Sequence, residues 1–172
     1  MAAKTHGTGW FDPAELGALG EGCVIEEGVR IWQPQTVRLG DGVYLGHGAS
    51  LKGDTRGELV IGDGTWIGQE CILNAAGSIR IGREVGVGPR VMVITSTHAE
   101  TAPPAPIIDA PLEFAAVEIG DGCDVGIGAI LLPGATLGRG VQVGAGAVVT
   151  GAVPDYAVVA GVPARVLRVR GA

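Results

Sequence analysis

A chain of 172 residues with 47% hydrophobic positions can bury one core and has no room for a second domain. Its net charge of -6 lacks the clustered Lys and Arg that nucleic-acid binding needs, and glycine or a charge interrupts every apolar stretch well before the roughly 18 to 20 residues of a membrane span. The 31 glycines against an aromatic content of 4% require a chain that turns again and again.

The first residues, Met1 to Gly9, carry neither a basic nor an apolar leader region, so a cytoplasmic location is expected; His6 falls in this tail. Phe11-Asp12-Pro13-Ala14-Glu15-Leu16 reads as a helix start. Asp12 is the N-cap, Pro13 the first helical residue, Glu15 the group reaching back, and Phe11 against Leu16 the staple. A helical turn here is expected to cover the first end of the fold.

From Leu19 onward the chain is a six-residue repeat that opens on an aliphatic residue followed by Gly or a small or acidic residue. It runs as Leu19, Ile25, Ile31; Leu39, Leu45, Leu51; Ile61, Ile67, Leu73; Ile81, Val87, Val93; Ile119, Val125, Leu131; and Leu137, Val143, Val149. The spacing stretches only between 31 and 39, 51 and 61, 73 and 81, and 93 and 119, always after a third hexad. A triangular prism predicts this, because extra residues can leave one corner without disturbing the stacked faces. At a strand spacing of about 4.8 Å, six coils make a rod of roughly 30 Å, filled by a column of the opening aliphatic residues.

Cys23, Cys71 and Cys123 occupy the small fifth position of their hexads, which marks them as core filler, and their odd number and spacing suit neither a disulfide framework nor a zinc site. The largest interruption, residues 95–118, is read as a protruding loop without evident secondary structure, stiffened by Pro103, Pro104, Pro106 and Pro111. Thr95-Ser96-Thr97-His98 puts an imidazole at its head, where a lone histidine is ordinarily solvated surface. His47, inside a regular hexad, is read as surface or a subunit contact. After Val153 an apolar segment ending in Arg168 and Arg170 is expected to close the last sheet edge.

The repeated Ile-Gly-Asp-Gly pattern, and above all Val117 to Arg165 with its Ala-Gly-Val-Pro-Ala ending, resembles the hexapeptide-repeat acyltransferases. The likeness extends to the galactoside, maltose, xenobiotic and capsule or colanic-acid-type O-acetyltransferases. It implies an all-β fold, a left-handed parallel β-helix of about six coils, with coils over 18–153, the protruding loop over 95–118 and a C-terminal cap over 154–172. The handedness comes from the resemblance alone, since parallel crossovers ordinarily run the other way.

The same resemblance implies acetyl transfer from acetyl-CoA to a hydroxyl of a sugar or glycosylated small molecule, without a metal. It also implies a homotrimer with sites between subunits. His98 matches the histidine at the head of the family's loop. A hydroxyl attacking a thioester needs a base that titrates near neutrality, and backbone N–H groups at glycine-rich corners can receive the oxyanion.

Gly126-Ile127-Gly128 and Ala145-Gly146 match the positions that hold the pantetheine arm, and Thr150 and Arg165 those near the adenosine and 3′-phosphate. Gly151 stands where the family has lysine, leaving Arg165, Arg168 or Arg170 to supply the positive charge. Asp124 replaces a common tryptophan. Glu70 and Asn74 are either contacts to acceptor hydroxyls or ordinary corner residues. The close histidine pair of the zinc-binding carbonic anhydrases of this fold is absent. Two other functions stay open: N-acetyl transfer to a nucleotide-linked amino sugar, and a scaffold that needs neither the loop nor His98.

Overall fold

Residues 7–171 are described by a computed structural model of the chain, in which parallel strands wind into a prism with three flat faces. The first face runs from Ala18–Leu19 to Ala152–Val153, the second from Val24–Ile25 to Ala157–Gly161, and the third from Arg30–Trp32 to Val148–Val149. The first two faces hold seven coil strands each and the third holds six, so a seventh coil begins beyond the six expected. Residues 157–161 therefore still belong to the prism: Ala157 and Val159 point inward and are buried. The closing element is Ala164–Val169, which folds back antiparallel on Ala157–Gly161 and covers that edge.

The strands keep one register throughout, so the inward residue of each hexad stacks on its counterpart. On the third face Ile31, Leu51, Leu73, Val93, Leu131 and Val149 form a column no more than 1% exposed. Each such side chain contributes about 1.5 to 3 kcal/mol through burial. The first coil departs from the expected pattern. Leu19 is 44% exposed, and Ile25 is only partly buried.

The N-terminal cap forms as the sequence predicts, but it is only the single 3-10 turn Pro13–Glu15. Asp12 accepts from the Ala14 amide at 2.9 Å, and its own amide donates to Glu15 Oε2 at 2.8 Å. Phe11 and Leu16 pack at the edge of the core. A turn this short cannot reach across the triangular end, which is why Leu19 stays open. The third face is covered instead by the preceding segment: Ile31 N–H donates to Gly9 O at 2.8 Å, and the Arg30 guanidinium lies 3.4 Å from the Trp10 ring centroid.

The corner between the first and second faces explains the Ile-Gly-Asp-Gly wording. Asp41, Asp63, Asp121 and Asp155 each accept, at 2.8 to 2.9 Å, from the amide of the corner residue one coil earlier, namely Glu21, Asp41, Arg83 and Arg139. The carboxylates of Asp121 and Asp155 lie where a Cβ on Gly82 or Gly138 would fall, so glycine in one coil makes room for aspartate in the next. Arg83 and Arg139 then pair with those carboxylates at 3.1 and 3.0 Å.

The cysteines are filler, as expected: Cys71 and Cys123 are buried and Cys23 is partly so. Their thiols donate to the carbonyls of Gly88, Gly138 and Gly40, and burial pushes Cys71 up to about 11. Thr65 substitutes in the Cys23 and Cys123 column, its hydroxyl donating to Gly82 O at 2.8 Å.

Candidate active site

Every long insertion leaves the corner between the third face and the next first face. The first is the turn Pro34–Thr36, the second spans residues 53–58, the third residues 75–78, and the fourth is the large protrusion. That protrusion is an ordered ribbon rather than the structureless loop expected. Ser96–His98 pairs antiparallel with Leu112–Phe114, so that Ser96 opposes Phe114 and His98 opposes Leu112. The strands are short and exposed, which is why the sequence carries no strong period here.

Thr95 pins the root of the ribbon. Fully buried, it accepts from Gly77 N–H at 2.8 Å and donates to Asn74 O at 2.7 Å, while its carbonyl accepts from Ala115 N–H. Gly77 is required here because a Cβ would lie 2.7 Å from Thr95 O. Neither residue stands out in the sequence. The only signal is their place at the strand-to-loop border.

His98 is partly exposed, and its Nδ1 lies 3.2 Å from the Ala110 carbonyl oxygen. A carbonyl only accepts, so Nδ1 carries the proton and Nε2 keeps a free lone pair. Ala110 is itself buried, so the ring is held against a fixed part of the ribbon tip. This is the arrangement a general base needs.

Of the acceptor-side candidates, Asn74 shares this corner through its bond from Thr95. Glu70 lies at the opposite end of its strand, on the corner between the second and third faces, where Arg90 Nε donates to it at 2.6 Å. That hydrogen bond holds the Glu70 carboxyl below its ordinary range. Within one chain Glu70 and His98 therefore occupy different corners.

Gly126, Ile127 and Gly128 stack beneath Ala145 and Gly146 on that same second corner, with Gly146 N–H donating to Ile127 O at 2.9 Å. Ile127 is exposed. Thr150 and Arg165 meet elsewhere, in a concavity of about 260 Å³ at the C-terminal end of the prism. Arg170 donates to Gly140 O at 2.9 Å; Arg165 lines the concavity, and its guanidinium donates to Ala164 O at 2.9 Å. His47 sits exposed on the second corner, 3.5 Å from Glu26. His6 lies outside the described residues. Among the described residues no group of His, Cys, Asp and Glu could hold a metal ion, and no helix is long and apolar enough to cross a membrane.

A concavity of about 510 Å³ lies away from the ribbon on the first corner, among Asp63, Arg83, Glu84 and Asp121. It is the groove between side chains of the aspartate ladder, where Arg83 is already paired with Asp121 at 3.1 Å, and we assign it no chemistry.

A prism of stacked six-residue repeats is the architecture of a hexapeptide-repeat protein. No family model matches the sequence. The chain is 29% identical over 140 residues to WbbJ of Escherichia coli K12, a protein named for O-acetyl transfer in lipopolysaccharide biosynthesis, covering 77% of this chain and 71% of that one. Other relatives are longer, and the chain spans 49% of one and 42% of another.

Among solved structures, a maltose O-acetyltransferase from Clostridium difficile 630 is 26% identical, with a TM-score of 0.65 over 91% of this chain and 71% of that one. AntD, an N-acyltransferase from Bacillus cereus solved with dTDP and 3-hydroxybutyryl-CoA, has a TM-score of 0.81 at 21% identity, over 91% of this chain and 85% of that one. The chain is thus similar, over most of its length, to the hexapeptide-repeat acyltransferases, and its prism is the left-handed β-helix of that group.

Proposed function

We propose that this protein is an acetyltransferase that moves an acetyl group from acetyl-CoA to a hydroxyl of a sugar or glycosylated small molecule. The observation that carries the reading is the His98 contact with Ala110, which leaves Nε2 free to take a proton. The acceptor oxygen attacks the thioester carbonyl as Nε2 removes its proton. The tetrahedral intermediate then collapses, the C–S bond breaks, and the imidazolium returns the proton to the departing thiolate. No covalent bond to the protein is needed.

In this reading Gly126, Ile127, Gly128, Ala145 and Gly146 contact the pantetheine arm. Thr150 and Arg165 receive the adenosine end, with Arg165 as the cation for the 3′-phosphate. Asn74 is a candidate acceptor contact. Glu70 can serve that role only from a neighbouring subunit, which fits a trimer with shared sites. The outer third face supports self-association: Ile72, itself 44% exposed, aligns with Met92, Ile130 and Val148, which are partly exposed. We place the reaction in the cytoplasm.

The likeness to AntD, named as an N-acyltransferase, supports a second reading in which the acceptor is an amine on a nucleotide-linked sugar. The test is thiol release from acetyl-CoA with sugars, glycosides and nucleotide-linked amino sugars, comparing wild type with His98→Ala. Acceptor-dependent release that falls about 10²- to 10⁴-fold in the variant is expected. Failure of the wild-type chain to bind CoA at all would end the enzyme reading.

A further inference from the structure

The three shorter corner insertions precede the ribbon coil by coil, and each leans on the next through a glycine. A Cβ on Gly53 would run into Thr36 Oγ1, and one on Gly57 would run into Ala75 O and lie 2.6 Å from Ser78 N. One on Gly77 would lie 2.7 Å from Thr95 O and 3.0 Å from Ala115 N, at the root of the ribbon. Hydrogen bonds follow the same path: Gly53 N–H donates to Trp32 O at 3.0 Å, Ala75 N–H to Lys52 O at 2.8 Å, and Ala115 N–H to Thr95 O at 3.0 Å. Any larger side chain would push these layers apart, so their close stacking carries position from one insertion to the next.

We propose that these insertions brace the ribbon and that Arg56 is a positioning residue for His98, an inference that rests on acyl transfer at that histidine. The two strands of the ribbon have different holds on the prism. Ser96–His98, which carries the proposed base, follows directly on Thr95 and its bonds to Gly77 and Asn74. Leu112–Phe114, the strand opposite, leads back to Ala110, whose carbonyl oxygen lies 3.2 Å from His98 Nδ1. This second strand is gripped through Phe114: the Arg56 guanidinium lies over its ring, 4.5 Å from the centroid.

Arg56 is itself fixed. Its amide donates to Asp54 Oδ1 at 3.0 Å and its Nε lies 3.2 Å from the same oxygen, while the Asp54 and Gly57 backbones bond each other at 3.2 and 3.4 Å across the turn. The cation therefore stands at a set height, where it meets the negative face of the Phe114 ring. Slippage of the Phe114 strand would draw Ala110 O away from Nδ1 and release the imidazole from its orientation and tautomer. The Arg56 contact opposes that motion, and its effect reaches His98 through the ribbon.

The experiment compares the full wild-type chain with Arg56→Gln, Arg56→Lys, Phe114→Leu and the double variant Arg56→Gln/Phe114→Leu, by amide hydrogen exchange and by thiol release from acetyl-CoA. Glutamine keeps the backbone bond to Asp54, so the turn itself persists. Exchange is read at Ala99, whose N–H donates to Pro111 O at 2.9 Å within the ribbon. It is expected to quicken about two- to fivefold in Arg56→Gln and in Phe114→Leu, no further in the double variant, and by less in Arg56→Lys. The value of kcat should fall in the same order while the KM for acetyl-CoA stays unchanged. Exchange at Ile130, inside the coils, should match wild type throughout.

Ala99 exchange unchanged in Arg56→Gln, lysine no better than glutamine, or additive effects in the double variant would overturn the proposal. So would the full exchange pattern with kcat untouched, which would spare acyl transfer but remove Arg56 from it. The same pattern in a chain that releases thiol to no acceptor would overturn acyl transfer at His98, and the positioning role with it, leaving Arg56 as a mechanical brace alone.

Discussion

Because one ring nitrogen of His98 is committed to the Ala110 carbonyl, a substitution there can be chosen to separate shape from basicity. Asparagine retains an amide donor for Ala110 but offers no imidazole base, so His98→Asn is expected to fold and bind CoA like wild type while transfer falls by about two to four orders of magnitude in steady-state thiol release. Arg165→Ala addresses the other end of the site. Losing a charge-assisted contact of about 1.5 to 3 kcal/mol should raise the KM for acetyl-CoA roughly 10- to 150-fold, with kcat little changed and dephospho-CoA indifferent to the substitution.

The aspartate ladder sets the acid limit. The Arg83 and Arg139 amides first, and their guanidinium groups second, hold Asp121 and Asp155 below their ordinary value of 3.8. Their folded-state values lie below the unfolded ones. The stabilisation is therefore complete above the ordinary value and disappears as pH falls through the depressed one. Melting midpoints should drop in that acid window, and Asp121→Asn with Asp155→Asn should flatten the drop. His98 is legible in the sequence as a loop histidine within a regular framework of hexads. Its tautomer is not, because Ala110 lies twelve residues away and only the ribbon brings its carbonyl to the ring.

At the scale of elements, the ribbon is the part the sequence discloses least. Ser96–His98 and Leu112–Phe114 present no clean alternation, and the four prolines point to an irregular loop. What holds the element is its root, where Thr95 ties Gly77 to Asn74. Thr95→Val keeps the shape but leaves the Gly77 N–H without its partner, at a cost of about 1 to 3 kcal/mol. We expect a lower melting temperature and a kcat reduced more than the CoA affinity, measured by calorimetry beside thiol release. The N-terminal turn shows the opposite balance: its capping box is readable residue by residue, but the area it covers depends on how few residues the turn contains.

For the whole molecule, the hexads expose both the prism and the corner where its insertions collect, because burial repeats at a fixed interval. The seventh coil is hidden from such a reading, since Pro154 and Tyr156 replace the usual small corner residues before Ala157 and Val159. Assembly is the property to test at this scale. Ile130→Arg, on the outer apolar column of the third face, is expected to convert the proposed trimer to monomers in analytical ultracentrifugation while circular dichroism stays unchanged. The strict register of the coils also makes the prism a ruler. The proposed base and the proposed CoA corners sit at heights counted in whole coils, so inserting or removing one coil moves one station relative to the next by about 4.8 Å. A protein built this way can change the length of molecule it accommodates only in steps, and point substitutions within the stack cannot supply intermediate lengths.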